Sequence, residues 1–267
     1  MGRRLSVLLL LLAAAPLAAP PLAAQKQGDQ SRLVFTVSAG YTFGRSLWSV
    51  ASQPVILDGL TDLYSLERDL HGTWAAELGA TFFRGPHLGF TVDLTFIDIA
   101  TVDSCQLLSN SGSANNATVC ASINGATTSA LSTAFSAGVI LRAASQQKVS
   151  PYLRAQGGVF LVNRSTTVLT GAYVNPDQEA VLVNIYPTEG SSSVSAQLAL
   201  AAGVTIPISK AYHARVEGRA TMFGLQAVTG STDFQGIVPP TETRYLTQFS
   251  ILIGMDLVLE RKHGHRY

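Results

Sequence analysis

The sequence predicts an all-β protein: an eight-stranded antiparallel up-and-down transmembrane β-barrel with long extracellular loops and short periplasmic turns. Three observations lead there. Apolar side chains recur at every second position through most of the chain, and a period of two places them on one face of a strand. Long and short connections alternate, the layout of an outer-membrane barrel. Only 13% of the 267 residues are charged while 47% are apolar, against about 25% charged in an average soluble domain. No apolar run after residue 24 reaches the ~20 residues of a helical span.

Eight stretches carry the alternation. Residues 32–43 put Leu33, Phe35, Val37, Ala39, Tyr41 and Phe43 on one face. Residues 72–83 contribute Trp74, Ala76, Leu78, Ala80 and Phe82, and 88–99 contribute Leu88, Phe90, Val92, Leu94 and Phe96. The next three, near 128–143, 151–164 and 194–206, repeat the pattern with Leu131 and Phe135, Leu153 and Val159, and Leu198 and Leu200. Residues 212–223 are the weakest, and 244–260, from Tyr245 to Leu259, the strongest. Tight turns follow the second, fourth and sixth stretches at 84–87, 144–149 and 208–211. Long polar segments follow the others at 44–71, 100–127, 165–193 and 224–243, and are expected to be mobile outer loops. Within 165–193, the apolar runs 168–174 and 180–186 predict a hairpin beyond the membrane, with a ten-stranded barrel as the alternative.

The apolar face is expected to meet lipid. All four lysines (Lys26, Lys148, Lys210, Lys262) fall in turns or termini, whereas a strand face in water carries lysine freely. The opposite face is mostly Gly, Ala, Ser and Thr, which suit a narrow interior. Tyr41, Phe43, Trp74, Phe96 and Tyr245 gather towards the long loops, and Phe35, Phe82 and Tyr212 towards the turns, as aromatic girdles do.

Residues 1–24 read as a cleaved signal peptide, with Arg3-Arg4 before an apolar core and Leu22-Ala23-Ala24 as the cleavage site. The expected division is then a short periplasmic segment at 25–30, the barrel at 31–260 and a periplasmic tail at 261–267. Without Arg3 and Arg4 the chain carries 16 basic against 17 acidic residues, with no basic patch for nucleic acid. Cys105 and Cys120 share one long segment and should form a disulfide in an oxidising compartment.

With 151–158, Pro-Tyr-Leu-Arg-Ala-Gln-Gly-Gly, opening one strand, the chain resembles the small eight-stranded outer-membrane barrels of the OmpA, OmpX and OmpW kind. It is similar also to the wider set of outer-membrane β-barrel domain proteins. The resemblance covers 31–260 and rests on pattern more than motif. It implies the outer membrane of a Gram-negative-type bacterium, contact with its lipids and lipopolysaccharide, and insertion by the outer-membrane assembly machinery. One departure concerns the end of the last strand: Tyr267 is terminal and in phase, but Arg261, His263 and His265 precede it on that face.

Eight charges fall on the inward face: Glu77, Asp93, Glu217 and Asp256 against Arg142, Arg154, Arg215 and Arg219. Enclosed charges must be paired, so these are expected to fill the lumen as ion pairs, with a gate as the alternative. A symmetric 84–87 turn would set Glu77 opposite Asp93, with an arginine between them. Catalysis finds little support. His71, with Asp69 and Thr73 beside it, is the one histidine near the outer rim. No phosphate loop, dinucleotide motif or His-Glu-x-x-His is present, and no cofactor or metal is expected. The sequence therefore predicts a monomeric, non-enzymatic outer-membrane protein with a sealed lumen, an envelope-integrity role and loops that bind or adhere. The alternatives are a narrow channel for small or apolar solutes, and a lipid-modifying enzyme at the rim.

Overall fold

The computed structural model describes residues 32–143, 149–187, 193–209 and 211–260. The expected signal peptide, the 25–30 segment, most of the 144–149 turn, the tail and all four lysines lie outside them. Twelve strands and one helix follow in order. They are β1 (Arg32–Thr42), β2 (Arg45–Leu57), β3 (Leu60–Leu70), β4 (Thr73–Phe83), β5 (Leu88–Leu107), α1 (Ala114–Ile123), β6 (Thr127–Arg142), β7 (Ser150–Val162), β8 (Leu169–Val174), β9 (Ala180–Tyr186), β10 (Ser193–Pro207), β11 (Tyr212–Val228) and β12 (Thr241–Glu260).

This overturns the expected eight-stranded architecture. Ten strands form one sheet in the order β2-β3-β5-β4-β1-β12-β11-β10-β7-β6, with a further β5–β6 pairing, and β8–β9 form a separate two-stranded sheet. The physical reason lies in strand length. β5 runs for 20 residues; its first half pairs with β4, as Glu77 with Thr95, and its second half pairs with β3, from Leu70↔Thr101 to Tyr64↔Leu107. β11 and β12 likewise stay paired out to Val228↔Thr241. Three of the four segments expected to be mobile loops therefore contain strands or a helix of their own, and the fourth, 224–243, extends β11 and β12 at its two ends.

Segment 44–71 becomes the β2–β3 hairpin. Its turn is Asp58-Gly59, both at positive φ (56° and 72°), the two-residue geometry whose twist matches the flanking strands. Among the described residues β2 pairs with β3 alone, and side chains satisfy part of its other edge. Ile56 gives its N–H to the Gln235 carboxamide oxygen (2.8 Å) and accepts from its nitrogen (2.6 Å), while Arg244 donates to the Leu47 carbonyl (2.7 Å). Such covering blunts an edge that would otherwise recruit another strand. Segment 100–127 holds the end of β5 and α1. The helix starts at Ser113, whose hydroxyl accepts from the Asn116 N–H (3.1 Å) as an N-cap does, and a Cys105–Cys120 disulfide with a Cα–Cα distance of 5.4 Å ties it to β5. The apolar runs of 165–193 form the β8–β9 hairpin, packed on α1 rather than joined to β7 and β10.

Alternation sorts the sheet's two faces. On β1, Val34, Thr36, Ser38 and Thr42 are buried while Phe35, Val37 and Tyr41 are exposed; on β12, Leu252, Asp256 and Val258 are buried while Phe249, Ile251, Ile253 and Met255 are exposed. The outward face is thus apolar along most of its length. At the end where β2, β3, α1, β8 and β9 gather, the inward side fills with a large apolar core of Leu47, Trp48, Tyr64, Phe160, Tyr186 and Phe223 among others. These elements form a packed cap.

Candidate functional site: a buried charge network beneath the cap

β4, β5, β7, β11 and β12 each turn charged side chains to the inward face, and the structure brings seven of the eight into one network. Arg154 on β7 is its centre. Its Nη1 donates to Asp93 (2.9 Å) and Glu77 (3.2 Å), and its Nη2 to Glu77 (3.1 Å) and Glu217. Arg219 donates from Nε and Nη2 to Glu217 (2.9 and 2.7 Å) and also pairs with Glu77. Arg215 pairs with Glu217 and lies 3.6 Å from Asp256. Arg142 sits lower on β6, its guanidinium carbon 4.1 Å from the Phe83 ring centre.

The register differs from a symmetric turn. Glu77 faces Thr95, and Asp93 faces Gly79, so the two carboxylates are staggered by two residues and Arg154 spans them. The strand between β7 and β11 makes room for this crossing. In β10, Ala201 pairs with both Arg154 and Arg219, and Gly203 pairs with both Tyr152 and Glu217. A methyl group at Gly203 would stand 2.4 Å from the Tyr152 hydroxyl, and one at Gly79 would stand 2.3 Å from an Asp93 oxygen. Small residues on β4 and β10 are therefore part of the network's geometry.

Polar partners that the charge inventory missed complete it. Tyr152 donates its hydroxyl to Glu217 (2.8 Å) and accepts from Arg215 Nε (2.7 Å). Thr36 donates to Asp256 (2.7 Å), and Gln156 donates to Asp93. The signal was present in the alternation: Tyr152 and Gln156 share the inward parity of Arg154, and Thr36 stands opposite Asp256. Every acid in the network is held by at least one cation or polar donor. The chemistry available is cohesion: a cross-linked set of seven charged side chains, each at most 7% exposed.

Inside the cap a second buried pair holds β3 to β5. Arg68 donates from Nε and Nη2 to the two oxygens of Asp103 (2.5 and 2.7 Å) and from Nη1 to the Thr166 carbonyl (2.8 Å), which also accepts from the Trp48 indole (3.2 Å). Asp62 accepts from the hydroxyls of Ser109 (3.1 Å) and Ser111 (2.6 Å), the Ser111 N–H (2.7 Å) and the Asn116 amide (2.8 Å). Burial alone would push its carboxyl up, but these donors together hold it below the usual carboxylate value. Catalytic readings gain nothing: the Thr73 hydroxyl beside His71 is directed at the Asp98 carbonyl (2.6 Å) and Thr42. Among the described residues no group of three or more His, Cys, Asp or Glu could hold a metal ion.

No family model and no curated protein matches the chain. Among solved structures, it is similar to Neisserial surface protein A, at 12% identity and TM-score 0.41 over 86% of this chain and 99% of that one. It is similar to the outer membrane protein AlkL, at 12% identity and TM-score 0.39 over 92% and 98%. The outer membrane protease OmpT from Escherichia coli follows at 10% and 0.34, over 86% and 97%. Likenesses at these scores carry no argument about function.

Proposed function

We propose that the chain is a non-enzymatic protein of a Gram-negative-type outer membrane, crossing the bilayer with its strands, its interior sealed, and presenting a rigid cap to the outside. No helix among the described residues is long and apolar enough to cross a membrane; the strands take that role. The outward face supports a lipid environment, since Trp74, Leu153, Leu200, Phe249 and Ile253 are each more than half exposed, where a water-soluble domain rarely leaves so continuous an apolar surface. Trp74, Tyr41 and Phe43 cluster edge-to-face at the cap end, the place of an interfacial girdle. Its setting would be outer-membrane lipid and lipopolysaccharide, as a monomer.

One observation carries the sealed reading. The level of Glu77, Arg154, Glu217 and Arg219 is filled by mutually bonded side chains, and the cap's apolar core stands above it. Moving an ion through would require breaking buried pairs, at about 3–5 kcal/mol for each one broken. The function then lies in wall and cap: envelope integrity and surface recognition. The test is insertion of the folded chain into vesicles followed by a solute-leak assay. Insertion without leakage supports the reading; leakage through an intact fold favours the narrow channel instead.

A further inference from the structure

β6 and β7 part company at the edge of the apolar belt. Their ladder begins at Ser132↔Val162, yet β6 starts at Thr127 and stays paired with β5 from there. Among the described residues, 127–131 therefore have a strand on one side only. Leu131 turns its carbonyl to the open side, where the Asn163 amide donates to it (3.0 Å), while Thr128 turns its carbonyl to β5, accepting from Thr101. By the same alternation the backbone N–H and C=O of Ser129 point into the gap.

A cavity of about 130 Å³ occupies that gap. Its floor is the Arg68–Asp103 pair, and its walls are rich in hydroxyls, among them Thr101, Thr128, Ser129 and Thr166. Arg164 lines it from an exposed position, and no carboxylate among the described residues is within ion-pair range of it. Because Asp103 is matched by Arg68, the site carries a net positive charge. Directly below, on the outward face, lie Leu131, Phe135 and Val159, all at least 45% exposed. A polar, cationic recess thus sits at one end of an apolar stripe.

We propose that this recess binds the phosphorylated sugar headgroup of an outer-leaflet lipid, with an acyl chain along Leu131, Phe135 and Val159. Hydroxyls and the free backbone edge match a sugar ring, Arg164 matches a phosphate, and the stripe matches the chain. The inference rests on the membrane reading above. The experiment uses the full mature chain in detergent and in vesicles, with three probes: a phosphorylated glucosamine lipid (lipid A), phosphatidylglycerol, and soluble glucosamine 1-phosphate. Native mass spectrometry reads the stoichiometry and a titration reads the affinity. Saturable one-to-one binding of the glucosamine lipid is expected, weakened at least tenfold by Arg164→Glu and by Ala130→Phe, which fills the recess, with phosphatidylglycerol and the soluble sugar phosphate far weaker. Equal binding by both variants overturns the site, and equal binding of the soluble sugar phosphate overturns a lipid as its source. A chain that inserts but does not bind sinks this inference alone; one that does not insert sinks the membrane reading.

Discussion

The Tyr152 hydroxyl donates to Glu217 across the bare Cα of Gly203: tyrosine and glutamate stand on either side of that residue in register. A phenol can reach over the middle strand only because no Cβ lies in its path. We expect Gly203→Ala to displace Tyr152 and cost ~1–3 kcal/mol, the scale of leaving a buried polar group unsatisfied. In a Tyr152→Phe background the same change should cost less, because the collision with the hydroxyl (2.4 Å) is gone, while those with the Val216 carbonyl oxygen (2.5 Å) and the ring carbon (2.6 Å) remain. Urea unfolding of the four proteins in detergent gives the coupling energy, and an additive pair would disprove the relationship.

Arg154 bonds three carboxylates at once. Arg154→Met should destabilise the fold by about 3–5 kcal/mol, because it leaves buried acids short of their cation. Arg154→Lys should recover only part of this, since one ammonium cannot span the stagger of Glu77 and Asp93 as a planar fork does. Unfolding midpoints of the three proteins check the order.

The cap should loosen in acid. Asp62 is held below its ordinary value near ~3.9, so its contribution is fully present above that value and is lost as pH falls through the lower, folded value. Proteolysis of the cap should therefore quicken well below pH ~4, while Asp62→Asn should be vulnerable at neutral pH and change little on acidification. An unchanged profile in the variant would remove Asp62 from the account.

Reduction of Cys105–Cys120 should free α1 from β5 without opening the wall. The bridge closes a span of 15 residues, worth ~3 kcal/mol in the chain-entropy view. Faster exchange of α1 amides, with β7 and β10–β12 unaffected, is the expected result.

The wall was legible because its code is simple: apolar side chains outside, small or paired side chains inside, alternating through long strands. Its ends were not. Asp62 and Arg68 lie on the buried face of β3, and two charges where apolar residues belong made 44–71 resemble a polar loop. Their compensation, by Ser109, Ser111 and Asn116 for one and by Asp103 for the other, is distant in sequence. Asp58-Gly59 was the local sign of that hairpin, and the eight-strand count stands corrected by it and by the length of β5. The charged residues of the site could be chosen by parity alone. Their pairing could not, because register depends on the turn: the link from Phe83 to Gly89 sets Asp93 beside Gly79 rather than Glu77.

A single-channel recording of the full chain in a planar bilayer, with Arg154→Ala beside it, tests the proposed sealed interior most directly. A silent bilayer for the unmodified protein, with insertion verified on the same sample, is the result predicted by a lumen filled with ion pairs beneath a packed cap. Reproducible conductance that changes in the variant would contradict it and make the network a gate.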